Sequence, residues 1–371
     1  PDYKETRTKA KISQNIVDAQ RFHVLVDPVH ILPLNPMKNI FALAASAATL
    51  GFAGSLSAST VYWQDVNWAT VGDAGNAPDT TGFGAVANQF RIMNFEFTNR
   101  DYAAFLNAVD QGGTNTLKLY NASMTSDGRG GINYVAGNPS GSKYVVKTDF
   151  GTKPVNFIDW FDAARVANFM HNGASVGAST EIGAYTLGGA TSGSTVSRNT
   201  DALFWIPTQD EWYKSAFYKG GGTNAGYWEY ATQSETAPTI GSATPTGDGT
   251  AGGLGNVVNY RTGSDWNSMD GNVTSIGTNG GPSAYGVYDM NGNVREVVEG
   301  SPSTTVLYRG GSYTGSAANI SATSGFISIA SNSASTHHGF RLATNVPEPG
   351  STLPILTLFG LALSKSRRRK A

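Results

Sequence analysis

No cysteine occurs anywhere in the 371 residues. That absence removes disulfides, thiolate-bound zinc, iron–sulfur clusters and any cysteine nucleophile together. Charge is scarce too: Asp, Glu, Lys and Arg make up 14% of the chain, against about 25% in average globular proteins. The net charge is −1, but much of the positive charge sits at the two ends, and residues 60–345 alone carry −7. A nucleic-acid groove needs Lys and Arg clustered on a folded face, so this acidic body excludes nucleic acid as a partner. Methionine is rare, at six, whereas the 45 glycines follow no Gly-X-Y period. The chain therefore reads as turns and long loops, and not as collagen or helical bundles. No repeat with a period of 20–50 residues is present either. With 40% hydrophobic and 11% aromatic residues, it can still bury one sizeable core.

The ends read as addresses. Met37 and Lys38 lead into an apolar run from Ile40 to about Leu56, followed by the small residues Ser57, Ala58 and Ser59. Residues 37–59 thus have the layout of a secretory signal peptide. Such a peptide normally opens a chain, so translation is expected to begin at Met37, with 1–36 a leader that has no fold. At the other end, residues 346–371 join Pro347, Glu348 and Pro349 to an apolar stretch at about 351–364 and finish on Arg367, Arg368 and Arg369 within a basic tail. A dozen apolar residues span ~18 Å as a helix, short of a ~30 Å hydrocarbon core. The terminal cations would stay on the cytoplasmic side. These three parts, in this order, resemble the PEP-CTERM sorting signal. The resemblance implies export by the Sec machinery, transient anchoring in the inner membrane of a Gram-negative bacterium, and recognition by an exosortase. Release to the cell surface or the exopolysaccharide matrix would follow.

Between the addresses, 60–345 reads as one domain with about three helices. Thr98 with Asp101, Asp159 with Asp162, and Thr208 with Glu211 each place an N-cap three residues before an acid. Aromatics follow every cap, among them Tyr102 and Phe105, Trp160, and Trp212. Short strands are predicted near Phe90–Phe97, Ala184–Leu187, Leu203–Ile206, Val306–Arg309 and Gly339–Ala343. Glycine-, serine- and threonine-rich loops separate them at 111–143, 172–200, 219–256 and 261–283. Ordered loops of that length are uncommon in a compact domain. Without disulfides, the devices available to hold them are bound cations and trapped aromatics.

Six local patterns then fall in a recognisable order: Phe97-Thr98-Asn99, Pro154-Val155-Asn156 with Trp160 and Asp162, Ile206-Pro207-Thr208 with Glu211-Trp212, Asp289-Met290-Asn291-Gly292-Asn293-Val294, Arg309-Gly310-Gly311-Ser312, and Gly339-Phe340-Arg341-Leu342. Together they resemble the formylglycine-generating-enzyme, or sulfatase-modifying-factor, family across roughly 90–343. The resemblance implies an irregular α+β, C-type-lectin-like fold with few short strands and long loops.

The family's oxidation of a substrate cysteine uses copper(I) held by two cysteine thiolates, and soft copper(I) needs soft ligands. Alignment from Arg309 puts Gly315 and Ile320 at those two positions. Neither side chain can bind a metal, so no copper is expected, and formylglycine generation is disfavoured. The histidines of the mature region, His171, His337 and His338, form no joint ligand set, because neighbours on an extended segment point to opposite faces. They read as surface or supporting residues. No Gly-x-Ser-x-Gly elbow occurs, and no catalytic constellation is evident. A structural Ca²⁺ fits better. The resemblance maps its oxygen ligands to Asp289, the carbonyls of Gly292 and Val294, and Glu296, with a second site at Asn259 and the carbonyl of Tyr260 beside Asp265 or Asp270. The family's Trp-Glu-Trp is here Arg295-Glu296-Val297, and losing two large aromatics predicts looser packing at that loop. Trp228 and Trp266, in long loops with Tyr227 and Tyr230, are the aromatics placed to stack on sugar rings or to pin those loops to the body. The expected role is a non-catalytic surface or matrix module, with carbohydrate binding as one form of it. The alternative is an enzyme of different chemistry in the cleft where copper would sit.

Overall fold

The computed structural model describes residues 59–323 and 326–346. The expected leader, the signal peptide up to its last residue, and the sorting tail with Pro347, Glu348, Pro349, Arg367, Arg368 and Arg369 lie outside the described residues. No helix among the described residues is long and apolar enough to cross a membrane.

Among the described residues four α-helices form: α1 (Asn99–Val109), α2 (Ser123–Ser126), α3 (Trp160–His171) and α4 (Gln209–Phe217). The three long ones start at the expected caps. Thr98 accepts the Asp101 N–H, while Asp159 and Asp162 close a reciprocal capping box, as do Thr208 and Glu211. Each cap contributes about 1 kcal/mol. The single turn α2 and a 3-10 turn at Ala317–Ile320 are too short to leave a periodic signal.

Two four-stranded sheets complete an α+β arrangement. In the first, Trp68–Val71, Phe90–Met93, Ala343–Asn345 and Phe204–Trp205 pair antiparallel in that order. The second runs Phe326–Ala330, Thr305–Arg309, Arg295–Val298, then His338–Gly339, with only the last pair parallel. The pairs Ile132–Tyr134 with Tyr144–Val146, and Thr239–Ile240 with Val257–Val258, stand apart.

Two strand predictions need correction. Ala184–Leu187 is a loop, because Asn168 from α3 donates to the Tyr185 carbonyl at 2.9 Å and accepts its N–H at 2.7 Å. With both main-chain groups of Tyr185 occupied, no ladder can form through it. Gly339–Ala343 is not one strand but the switch between the two sheets: the chain leaves one at Gly339 and enters the other at Ala343. Between them Phe340 stacks on Phe97 at 4.9 Å, and Arg341 turns into the core.

The long loops are held chiefly by buried polar side chains that donate to loop carbonyls, a device not expected from the sequence. Asn99 donates to the carbonyls of Phe150, Lys153 and Pro154. Arg165 reaches Glu181 at 2.7 Å and the Ala190 carbonyl at 2.8 Å, securing the 172–200 loop. Lys153 and Lys214 donate to the carbonyls of Thr246 and Asp73 at 2.7 and 2.8 Å. Such bonds tie loop main chain to side chains of the helices and of neighbouring loops, giving buried carbonyls partners where regular structure is sparse.

Candidate functional site

The sequence landmarks converge on one buried ion pair. Arg341 donates from Nε and Nη2 to the two oxygens of Glu296, both at 2.6 Å, and to the carbonyls of Met93 and Tyr288, both at 3.0 Å. The indole Nε1 of Trp212, on α4, donates to Glu296 at 2.7 Å. The Thr208 helix start, the Gly292-Asn293-Val294 loop and the closing Phe340-Arg341 segment therefore meet at a single carboxylate. Two further carboxylates lie close by. Asp289 accepts from the Gly277 N–H at 2.6 Å and from Asn279 at 2.8 Å, and Glu96 accepts from Asn293 at 3.1 Å. Burial, then the charges of Asp289 and Glu296, pushes Glu96 well above the usual carboxylate range, and burial also raises Asp289. Burial alone would lower Arg341, but the three carboxylates around it raise it. Glu96 was missed in the sequence, where its only signal is its place just before Phe97.

This geometry bears on the calcium ligands taken from the family resemblance. Glu296 does not fit that role, because a guanidinium and an indole already occupy its oxygens. Asp289, Gly292 and Asn293 form a tight turn, all three with positive φ, and a Cβ on Gly292 would stand 2.2 Å from the Asn259 carbonyl. At the second site, Asn259 is fully buried, and its amide donates to the Asn272 carbonyl, Thr274 and Asn293. Its Oδ1 has no partner. The carbonyl of Tyr260 accepts from the Gly263 N–H at 3.2 Å. Asp265 and Asp270 are exposed, and Asp265 accepts from the Gly271 N–H instead. The polar groups around Asn259 are thus Asn272, Thr274 and Asn293, not an aspartate. Among the described residues, no group of three or more His, Cys, Asp or Glu is placed to hold a metal.

Gly315 and Ile320 are both buried. Gly315 takes part in main-chain bonds to Ser312 and Arg261, and Ile320 belongs to an apolar cluster with Tyr230, Val258 and Tyr260. Of the three histidines, His171 is half-buried and accepts the Leu203 N–H at 3.2 Å. His338 is buried and stacks on Tyr308 at 4.3 Å, with Nδ1 2.7 Å from the Ser333 carbonyl, while half-buried His337 lies against Tyr313. Burial pushes both down to about 4.

Trp266 presents no face for a sugar. It is buried against Phe150 at 4.8 Å, below Lys153, and donates to the Val273 carbonyl. Trp228 is half-buried, with the Lys219 ammonium 4.3 Å from its ring centre. Tyr230 is buried, and Tyr227 is tied to the Ala77 carbonyl, so these aromatics pin their loops. A polar cleft of about 480 Å³ opens elsewhere, lined by Asn88, Gln89, Arg198, Asn199, Trp205 and Glu211 among others. Arg198 covers the Trp205 ring at 4.6 Å and faces Glu299 at 3.5 Å. Burial raises Glu299 to about 7, although Arg198 opposes the shift.

Residues 70–346 match the model of the sulfatase-modifying factor enzyme 1-like domain. The comparison with curated proteins gave no match. Among solved structures, the crystal structure of CarF aligns at 20% identity over 76% of this chain and 98% of that chain, with a TM-score of 0.42. Treponema denticola variable protein 1 aligns at 15% identity over 78% and 99%, with a TM-score of 0.42. PvdO from Pseudomonas aeruginosa aligns at 14% over 76% and 92%, with a TM-score of 0.34.

Proposed function

Because the chain belongs to the family of sulfatase-modifying factor enzyme 1-like domains, we propose that it serves as an exported, non-catalytic binding or structural module. One observation carries this reading: the chain has no cysteine, and the two copper-ligand positions hold a main-chain-bonded glycine, Gly315, and a buried isoleucine, Ile320. Neither offers a sulfur to copper(I), and no residue elsewhere in the chain supplies a thiolate in their place. The test is incubation of the purified chain with a cysteine-containing peptide, copper and oxygen. No formylglycine is expected, and its appearance would overturn the reading.

The address belongs to the same proposal. The segments 37–59 and 346–371 would direct export through Sec, a transient stay in the inner membrane, processing by an exosortase, and release to the surface or matrix. There the acidic domain would meet exopolysaccharide. The cleft between Asn88, Gln89, Arg198 and Asn199 supports this better than the loop tryptophans, since planar amides and a guanidinium can each bond to sugar hydroxyls. Retention of the wild-type chain on the producer's own polymer, lost on Arg198→Ala, is the expected result. Equal retention of both proteins would remove the cleft from the proposal.

Structural Ca²⁺ is part of the reading at one of the two loops only. The partnerless Oδ1 of Asn259 and the Tyr260 carbonyl are oxygen donors of the kind a hard cation takes, with Asn272 beside them. A chelator should lower the melting temperature of the wild-type chain and leave Asn259→Ala unaffected. An unchanged melting temperature would count against the ion.

A further inference from the structure

Where Arg295–Val298, Thr305–Arg309 and Phe326–Ala330 lie side by side, the structure holds a second, smaller cavity of about 70 Å³. Arg295, Tyr308, Gly311, Asn319, Phe326 and Ile327 line it. It lies at the loop where the loss of two aromatics predicted looser packing, and Arg295 occupies one of those two positions.

Two of its polar groups are buried without a partner: the hydroxyl of Tyr308, a residue only 1% exposed, and Nε of Arg295. Leaving a buried donor in that state is costly, and more so where the donor is charged. No carboxylate among the described residues pairs with Arg295; the groups felt most strongly by its guanidinium, after burial, are the phenols of Tyr308 and Tyr313. His337 lies beside it as well, and Arg129 and the carboxylate of Asp127 act on His337 with opposite sign. The carboxylates nearest in effect to Tyr308, Asp159 and Asp162, are engaged with each other's main chain at the start of α3. The cavity therefore has donors and positive charge, and no carboxylate lines it to balance that charge.

Its size narrows the occupant. About 70 Å³ is room for several water molecules, each needing only ~10–15 Å³ of such space, or for one carboxylate group. Water would satisfy the donors but would not offset the charge, whereas an ionised carboxylate does both, through the stronger, charge-assisted kind of hydrogen bond. The rim favours carbon beyond that group, since Phe326 is 46% exposed and Ile327 half-buried. We propose that this cavity binds the carboxylate of a small organic acid, with Arg295 and Tyr308 donating to its oxygens and Phe326 against the adjoining carbon. The site is separate from the Arg198 cleft and does not depend on polysaccharide binding there.

Titrating the full chain with acetate and with glucuronate at constant ionic strength, followed by NMR or calorimetry, tests the assignment, with glucose as the uncharged control. Saturable binding of both acids is expected, and none of glucose. Arg295→Leu should weaken binding by roughly ten-fold or more, and Tyr308→Phe by several-fold, as loss of a charge-assisted and of a neutral hydrogen bond predict. Arg295→Lys keeps the charge and should retain part of the affinity, which preserves the test if the leucine variant does not fold. Equal binding by Arg295→Leu, no saturable response to either acid, or a glucose response equal to that of glucuronate would overturn the assignment.

Discussion

Replacing Arg341 by methionine removes the guanidinium that Glu96, Asp289 and Glu296 share, and leaves its space filled. Arg341 is fully buried, and its four side-chain bonds reach Glu296 twice and the Met93 and Tyr288 carbonyls once each. Removing one partner of a buried pair typically costs 3–5 kcal/mol, because the other charge stays behind uncompensated. The cost here should lie at the upper end, about 5 kcal/mol, since three carboxylates would be left in the same desolvated region. Against a total stability of ~5–15 kcal/mol for a folded domain, that is a large fraction. Glu296→Gln should cost less, because Arg341 keeps both carbonyls and the two remaining carboxylates. In the double variant the losses should not add, and a coupling of ~1.5 kcal/mol or more is expected of residues in direct contact. Urea unfolding of the wild type, both single variants and the double variant at pH 7, followed by tryptophan fluorescence, measures all four. A loss under about 1 kcal/mol for Arg341→Met, or additive losses in the double variant, would refute the view that this pair holds the landmark segments together.

Three further outcomes follow from the same structure. Glu299 is nine-tenths buried as a side chain and is raised from 4.5 to about 7, so the unfolded chain loses this proton first, and rising pH between those values lowers stability. That amounts to about 3 kcal/mol; Glu299→Gln should therefore stabilise the protein at pH 8 and change little at pH 4.5, and equal effects at both pH values in denaturant titrations would contradict it. Gly292→Ala should destabilise by roughly 2 kcal/mol or more, since its Cβ would meet the Asn259 carbonyl at 2.2 Å on a residue with φ of +78°, and an unchanged melting temperature would be inconsistent with that contact. Thr208→Ala should lose about 1 kcal/mol through the α4 cap, whose hydroxyl accepts the Glu211 N–H at 3.1 Å, whereas Thr208→Ser should retain most of it, as thermal unfolding would report.

The local rules read well where a few neighbouring residues decide the outcome. All three long helices begin at Thr98, Asp159 and Thr208, because a cap is a contact between residues three apart. The family, too, was legible, in six short patterns whose order survives whatever the loops between them do. The loss of thiolate chemistry followed from composition alone. What escaped was set by partners far apart in the chain. Ala184–Leu187 has strand-like residues, yet Asn168 occupies the main chain of Tyr185. Glu296 stands where the family resemblance puts a calcium ligand, yet Arg341, 45 residues on, donates to both of its oxygens. Trp266 lies in a glycine-rich loop that suggests exposure, and Phe150 and Lys153 bury it. Likewise, the sequence shows Arg295 only as a departure from a pattern, and the cavity where it meets Tyr308 exists only once the strands are side by side. Capping and composition are properties of the chain itself, whereas the partner of a buried charge is chosen by whichever segment the fold brings within hydrogen-bonding distance.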